Sequence, residues 1–110
     1  MNIRITTIKV DLTPSLKDYI EMRFAPFEKL IARFDPAGGA EIWVEVSRTT
    51  QHHKHGDVFR VVGNLKLPGK LLRAEETAPD PRAAIDAVKN ILKIEIEKYK
   101  TKSSPRRGKD

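Results

Sequence analysis

The chain has 110 residues, a net charge of +6 from 21 basic and 15 acidic residues, and no cysteine. A single domain of this length hides about two-thirds of its unfolded surface and can hold one core. The absence of cysteine excludes disulfides, thiolate nucleophiles and cysteine-based zinc fingers, and no apolar run approaches the ~20 residues of a membrane-spanning helix. The opening "MNIRITTIKV" alternates instead of forming an apolar block, so it does not read as a signal peptide, and a cytoplasmic protein is the expectation. The basic excess is uneven. Residues 1–79 carry 12 basic and 10 acidic side chains, residues 80–100 carry 5 and 4, and residues 101–110 carry 4 and 1. Such a balance points to a polyanionic partner or to a tail that serves solubility.

In chain order, "NIRITTIKV" alternates in two phases, Ile3/Ile5 and Ile8/Val10, which predicts a first strand with a bulge near Thr6 and Thr7. From Leu12 the period changes. Thr13 is a good N-cap, Pro14 suits the first helical position, and Leu16, Ile20, Phe24, Phe27, Ile31 and Phe34 recur at helical spacing. Pro26 lies inside this helix and predicts a kink near Met22. "DPAGGA" ends it.

"AEIWVEVS" predicts a second strand with Ile42, Val44 and Val46 on the core face and Trp43 and Glu45 on the other. "DVFRVVGNLKL" predicts a third, with Phe59, Val61, Leu65 and Leu67 inward. "LPGK" has the chemistry of a type II turn into a fourth strand, "LLRAEET". In "PDPRAAIDAVKNILKIEIEKYK", Asp80 caps a second helix and Ile85, Val88, Leu92, Ile96 and Tyr99 form its core stripe. The expected fold class is α+β, in the order β-α-β-β-β-α, with two helices packed on one face of a four-stranded sheet. One domain is expected over 1–101 and a basic disordered tail over 102–110. Trp43 then points to the wet face, either as a binding contact or shielded by Arg and Lys stems on neighbouring strands.

No enzyme is expected. The sequence has no G-x-S-x-G elbow, no H-E-x-x-H and no phosphate loop. Its acids sit at helical spacing from bases or an amide, Asp86 from Lys89 or Asn90 and Glu97 from Lys93 or Lys100, as in solvated faces. His52, His53 and His55 open a metal reading, because an H-x-H pair on a strand points both rings to one side. Against it stand the missing cysteine, Lys54 between the rings and the turn former Gly56, so an exposed strand connection is preferred and no metal or cofactor is expected.

The basic row is the strongest physical signal, with a merely solubilising surface row as the alternative. Arg82, Lys89, Lys93 and Lys100 follow one another at spacings of seven, four and seven. At ~100° per residue they share one narrow helix stripe, expected opposite much of the apolar surface. A linear array of cations on a rigid rod can follow a phosphate backbone. Arg23, beside Tyr19 at the edge of the first helix's stripe, adds to the same surface if the helices lie side by side. There is no aromatic interleaving of the kind seen in single-strand readers, so shape and backbone recognition of folded RNA fits better than base stacking.

"LTPSLKDYIEMRFAPFEKL", "PGKLLRAE" and "DPRAAIDAVKNILKIEIEKYK" together resemble the short ribosome hibernation factors, also called ribosome-associated inhibitor or sigma-factor modulation proteins. The resemblance runs from Met1 to about Lys102. In that family the second helix opens with Asp, an apolar residue and Tyr before Ala-Ala-Ile-Asp; "AAID" (Ala83–Asp86) and the final "KYK" match. The resemblance implies a fold similar to double-stranded RNA-binding domains. It also implies binding to the small ribosomal subunit and its 16S-type rRNA, near the decoding centre over the messenger channel and the A and P tRNA sites, which blocks translation. Longer members add a C-terminal dimerising domain, which is not expected in this chain. The implied RNA contacts, together with the row, are Arg23, Lys29, Arg82, Lys89, Lys93, Lys98 and Lys100.

The chain departs from the family where its Tyr is Arg82, where usual bases are Ile91 and Ile94, and where a frequent lysine is Pro26. Ile91 and Ile94 widen the apolar surface and motivate a second hypothesis: a protein-interaction module of the same fold, or a homodimer through these two residues, that does not bind ribosomes. A general double-stranded RNA binder is the third.

Overall fold

The computed structural model describes residues 1–50 and 57–103, with side chains at 1–49 and 58–101. Strand β1 (Asn2–Ile8) leads to helix α1 (Pro14–Phe24), helix α2 (Phe27–Ile31) and a 3-10 turn at Ala32–Phe34. Strands β2 (Glu41–Thr50), β3 (Asp57–Leu67) and β4 (Lys70–Ala78) follow, then helix α3 (Pro81–Ser103). The sheet order is β1-β2-β3-β4, with β1 parallel to β2 and the other neighbours antiparallel. The parallel pair follows from the connection, since a helical crossover returns the chain in the direction it left. The expected α+β fold is the one observed.

Local chemistry sets the helix starts. The Thr13 hydroxyl accepts from the Leu16 amide at 3.1 Å, and the Asp80 carboxylate accepts from the Arg82 amide at 3.1 Å. Each cap is followed by a proline, whose missing N–H leaves no further donor unsatisfied.

The first helix does not kink near Met22 as expected but breaks three residues later, at Ala25. The Ala25 amide still donates to the Glu21 carbonyl, at 2.9 Å. Pro26 has no amide to continue the ladder, and Glu28 closes a tighter turn onto the Ala25 carbonyl at 3.1 Å. Hence α1 ends at Phe24 and α2 restarts at Phe27. The break keeps both phenylalanines in the core, edge to face with centroids 5.5 Å apart.

Strand β1 has no bulge. Its register runs unbroken from Asn2 opposite Glu41 to Ile8 opposite Ser47, which turns Ile8 outward. The second phase of the alternation comes from Lys9, which takes a φ of 59° just after the strand. That reversal lets Val10 pack at the margin of the core.

The core lies between the sheet and the helices, with Ile42, Val44, Val46, Val61 and Leu65 meeting Ile20, Phe24, Ile85, Val88, Leu92 and Ile96. Helix α3 crosses β3 at Gly63, where a Cβ would stand 2.8 Å from Val88 Cγ1 and 3.0 Å from Leu92 Cδ1. Glycine is therefore what permits the close approach. In the β3–β4 turn Gly69 has φ 72°, as the type II reading of "LPGK" requires. On the open face of the sheet Trp43 is 51% exposed. Its indole N–H donates to the Thr6 hydroxyl at 2.9 Å, and the guanidinium of Arg4 on β1 lies 6.0 Å from the ring centroid.

The reading of His52, His53 and His55 as a strand connection concerns residues outside those described. So does most of the tail expected from 102: α3 runs on to Ser103, and residues 104–110 are not described.

Candidate nucleic-acid interface

Helices α1 and α3 touch along their sides, and the contact is polar at the α3 N-terminal end. Tyr19, on the flank of α1, donates its hydroxyl to the Asp86 carboxylate, with oxygens at 2.7 and 2.9 Å. Arg23, one turn further along α1, donates Nε–H to Asp86 Oδ1 at 2.9 Å. From α3, Arg82 donates an Nη2–H to the Ser15 hydroxyl at 2.8 Å. The guanidiniums of Arg82 and Arg23 lie 5.2 and 5.8 Å from the centroid of the Tyr19 ring, close enough for cation–π attraction. Burial and the hydrogen bond to Asp86 push the Tyr19 phenol above the ordinary tyrosine range, against the lowering pull of the two arginines.

Asp86 therefore does not pair along its own helix with Lys89 or Asn90. It reaches across to α1, because the Tyr19 hydroxyl, shared between its two oxygens, and the Arg23 Nε–H offer two donors that the local spacing does not. Nor does Glu97 pair with Lys93 or Lys100; the ion pair on this part of α3 joins Lys98 to Glu95 at 3.6 Å. Among the described residues, Lys29, Lys89, Lys93 and Lys100 have no carboxylate within ion-pair distance.

The basic row is displaced from its expected position. Arg82 and Asp86 face α1, so by helical geometry the row flanks the apolar stripe instead of opposing it, and Lys89 and Lys100 are half-buried. The structure brings Arg23 and Arg82 together at one end of this flank, with Lys89, Lys93 and Lys100 continuing along it. Lys29 is exposed on α2, which also touches α3. Lys98 is not part of the row. It lines a shallow apolar depression with Ile94, Glu97 and Thr101. Ile94 is 56% exposed there, whereas Ile91 packs partly against the core.

Tyr19, Asp86 and Ser15 were not among the site residues expected from sequence. Their signal was present: Tyr19/Arg23 and Arg82/Asp86 are two i, i+4 pairs on helices that must pack together. Among the described residues, no group of three or more His, Asp or Glu side chains could hold a metal ion, and no helix is long and apolar enough to cross a membrane.

A four-stranded α+β domain with cations along the α1–α3 helix pair is the class that these observations define. The family model described as "Sigma 54 modulation protein / S30EA ribosomal protein" matches residues 3–104, and the chain belongs to this family. The ribosome hibernation promoting factor of Klebsiella oxytoca is 28% identical over 102 residues, covering 93% of this chain and 96% of that protein. The ribosome hibernation promotion factor of Deinococcus radiodurans is 27% identical over 93 residues, covering 84% of this chain and 46% of that protein. The chain thus spans about half the length of that relative. Among solved structures, the Thermus thermophilus Protein Y N-terminal domain has a TM-score of 0.59 at 27% identity, covering 90% of this chain and 99% of that one. A ribosomal subunit interface protein from Coxiella burnetii has a TM-score of 0.66 at 24% identity, covering 92% and 99%, and shares the fold.

Proposed function

We propose that the chain is a ribosome hibernation factor that binds the small ribosomal subunit near the decoding centre and blocks messenger and tRNA access. The observation that carries this reading is the flank of α3. It sets Lys89, Lys93 and Lys100 in line beyond the Arg23–Arg82 end, with no carboxylate neutralising them among the described residues. Family membership and the relatives' names supply the ribosome as the polyanion. The mechanism is steric: the rigid domain occupies the channel, cations meet phosphates, and no bond is made or broken. Arg23, Arg82, Lys89, Lys93 and Lys100 are the main contacts, Lys29 a flanking one, and Lys98 a peripheral one on the other side of α3. The ribosome reading implies a cytoplasmic protein.

The test is competition on purified small subunits. Saturating protein should displace both a bound messenger fragment and a P-site tRNA in filter binding. Undisturbed binding of both in the presence of bound protein would overturn the occlusion mechanism.

A second reading rests on the exposure of Ile94 beside the Lys98 stem. Here the α3 surface docks on another protein, a second copy of this chain included. Molar mass by light scattering at high protein concentration, for the native chain and Ile94→Lys, separates the two. A dimer lost on substitution supports this reading, and a monomer in both removes self-association.

A further inference from the structure

Asp86 is an acid set among the bases of the α1–α3 flank, so on charge alone it opposes RNA binding. It is also 37% exposed at its side chain, as Arg23 is at 33%, and an ion pair so open to water adds little to folding. Neither affinity by charge nor stability explains it. Its geometry does. Asp86 holds Arg23 by the Nε edge, at 2.9 Å, and holds Tyr19 by its hydroxyl, at 2.7 and 2.9 Å. The fixed Tyr19 ring then carries both guanidiniums, Arg23 at 5.8 Å and Arg82 at 5.2 Å. Arg23 keeps both Nη groups without a partner among the described residues, and Arg82 spends one N–H, on Ser15.

We propose that Asp86 and Tyr19 are positioning residues, which preset Arg23 and Arg82 as a pair of forks for RNA phosphates at the head of the α1–α3 flank. A free arginine surrenders rotamer entropy when it clasps a phosphate; one already held by its Nε edge surrenders less and presents its remaining donors in a fixed plane. Arg82 stands where the family resemblance expects tyrosine, and the ring of Tyr19 on the facing helix gives its guanidinium a platform. The inference rests on the ribosomal reading above.

The test turns on a sign. Asp86→Asn removes a negative charge, so charge counting requires tighter binding to a polyanion. Positioning requires weaker binding. The affinity of the full chain for purified small ribosomal subunits, at one low salt concentration, should fall about fivefold in Asp86→Asn. Tyr19→Phe, which keeps the ring and loses the hydroxyl, should shift affinity the same way by less. In an Arg23→Ala background the Asp86→Asn effect should shrink, since the part that runs through Arg23 is gone and only the part that runs through Tyr19 and Arg82 remains. Circular dichroism melts of each variant report the fold, and Tyr19→Phe carries the test should Asp86→Asn unfold. Equal or tighter binding by Asp86→Asn, or a loss undiminished in the Arg23→Ala background, overturns the positioning role and leaves the ribosomal reading standing. A native chain that does not bind small subunits at low salt overturns both.

Discussion

Replacing Gly63 by alanine tests the packing that holds α3, and with it the basic row, against the sheet. The added Cβ would meet Val88 Cγ1 at 2.8 Å and Leu92 Cδ1 at 3.0 Å. Comfortable carbon–carbon contact is ~3.5–4.0 Å, so α3 must retreat or both side chains must turn. Leu92 can yield, but a helical valine has essentially one χ1 rotamer, so Val88 cannot swing away cheaply. Overpacking of this kind costs about 1–3 kcal/mol. Lower unfolded-state entropy of alanine returns ~0.4–1 kcal/mol. The net loss of about 1–2 kcal/mol should lower Tm by roughly 5–15 °C in a domain of this size. Differential scanning calorimetry of Gly63→Ala reads the shift. Val88→Ala removes the clashing methyl, so the double variant should be more stable than the sum of the single losses by about 1 kcal/mol. A Gly63→Ala Tm at or above the native value, or strict additivity in the double variant, would refute the close-approach reasoning.

Three further outcomes follow from the same structure. Thr13→Ala should destabilise the chain by about 1 kcal/mol in urea melts, because the Leu16 amide loses its acceptor at 3.1 Å; Thr13→Ser should largely preserve it. The hydrogen bond from Arg60, aided by Arg73, holds the Glu75 carboxyl below its ordinary value of 4.5. A lowered folded-state value means stability that is present above pH 4.5 and lost as pH falls through the folded value. The urea midpoint of the native chain should therefore drop more steeply below pH 4.5 than that of Glu75→Gln, and parallel curves would contradict the pairing. In a Tyr99→Phe background, ultraviolet titration should show the Tyr19 phenol ionising above the ordinary tyrosine value, and Asp86→Asn should bring it down. The raised value also means that the Tyr19 contribution to stability is held below pH 10 and lost above it.

Much of the fold was legible because its determinants are local. The Thr13–Pro14 and Asp80–Pro81 pairs mark helix starts by chemistry confined to a few residues. Alternation alone assigned Trp43 to the open face, where Arg4 on the neighbouring strand covers part of it. Proline chemistry foretold the disturbance at Pro26, but not that the ladder would hold through Ala25 and restart at Phe27, which depends on burying Phe24 and Phe27 together. The double phase in β1 suggests a bulge from sequence because periodicity cannot distinguish an inserted residue from a left-handed Lys9 beyond the strand end.

The site was less legible for the same reason in reverse. Helical spacing proposes partners within one helix, Lys89 and Asn90 for Asp86. Its actual partners, Tyr19 and Arg23, are 67 and 63 residues away. Stripe geometry put Arg82, Lys89, Lys93 and Lys100 on one line, while the position of that line relative to the core depended on where α1 packs. Lys98 matched a family basic position, yet it stands with Ile94 on the other side of α3.

The proposed function places the cations of the α3 flank on the small ribosomal subunit. Its most direct test is co-sedimentation of the protein with purified small subunits on sucrose gradients over a range of salt. With about five phosphate contacts, log K should fall with log salt at a slope of roughly −3.5 to −4.5. Lys89→Glu, Lys93→Glu and Lys100→Glu combined should abolish co-sedimentation at every salt while leaving the melting curve cooperative. Native protein that stays at the top of the gradient at low salt, or a triple variant that still travels with the subunit, would contradict the account.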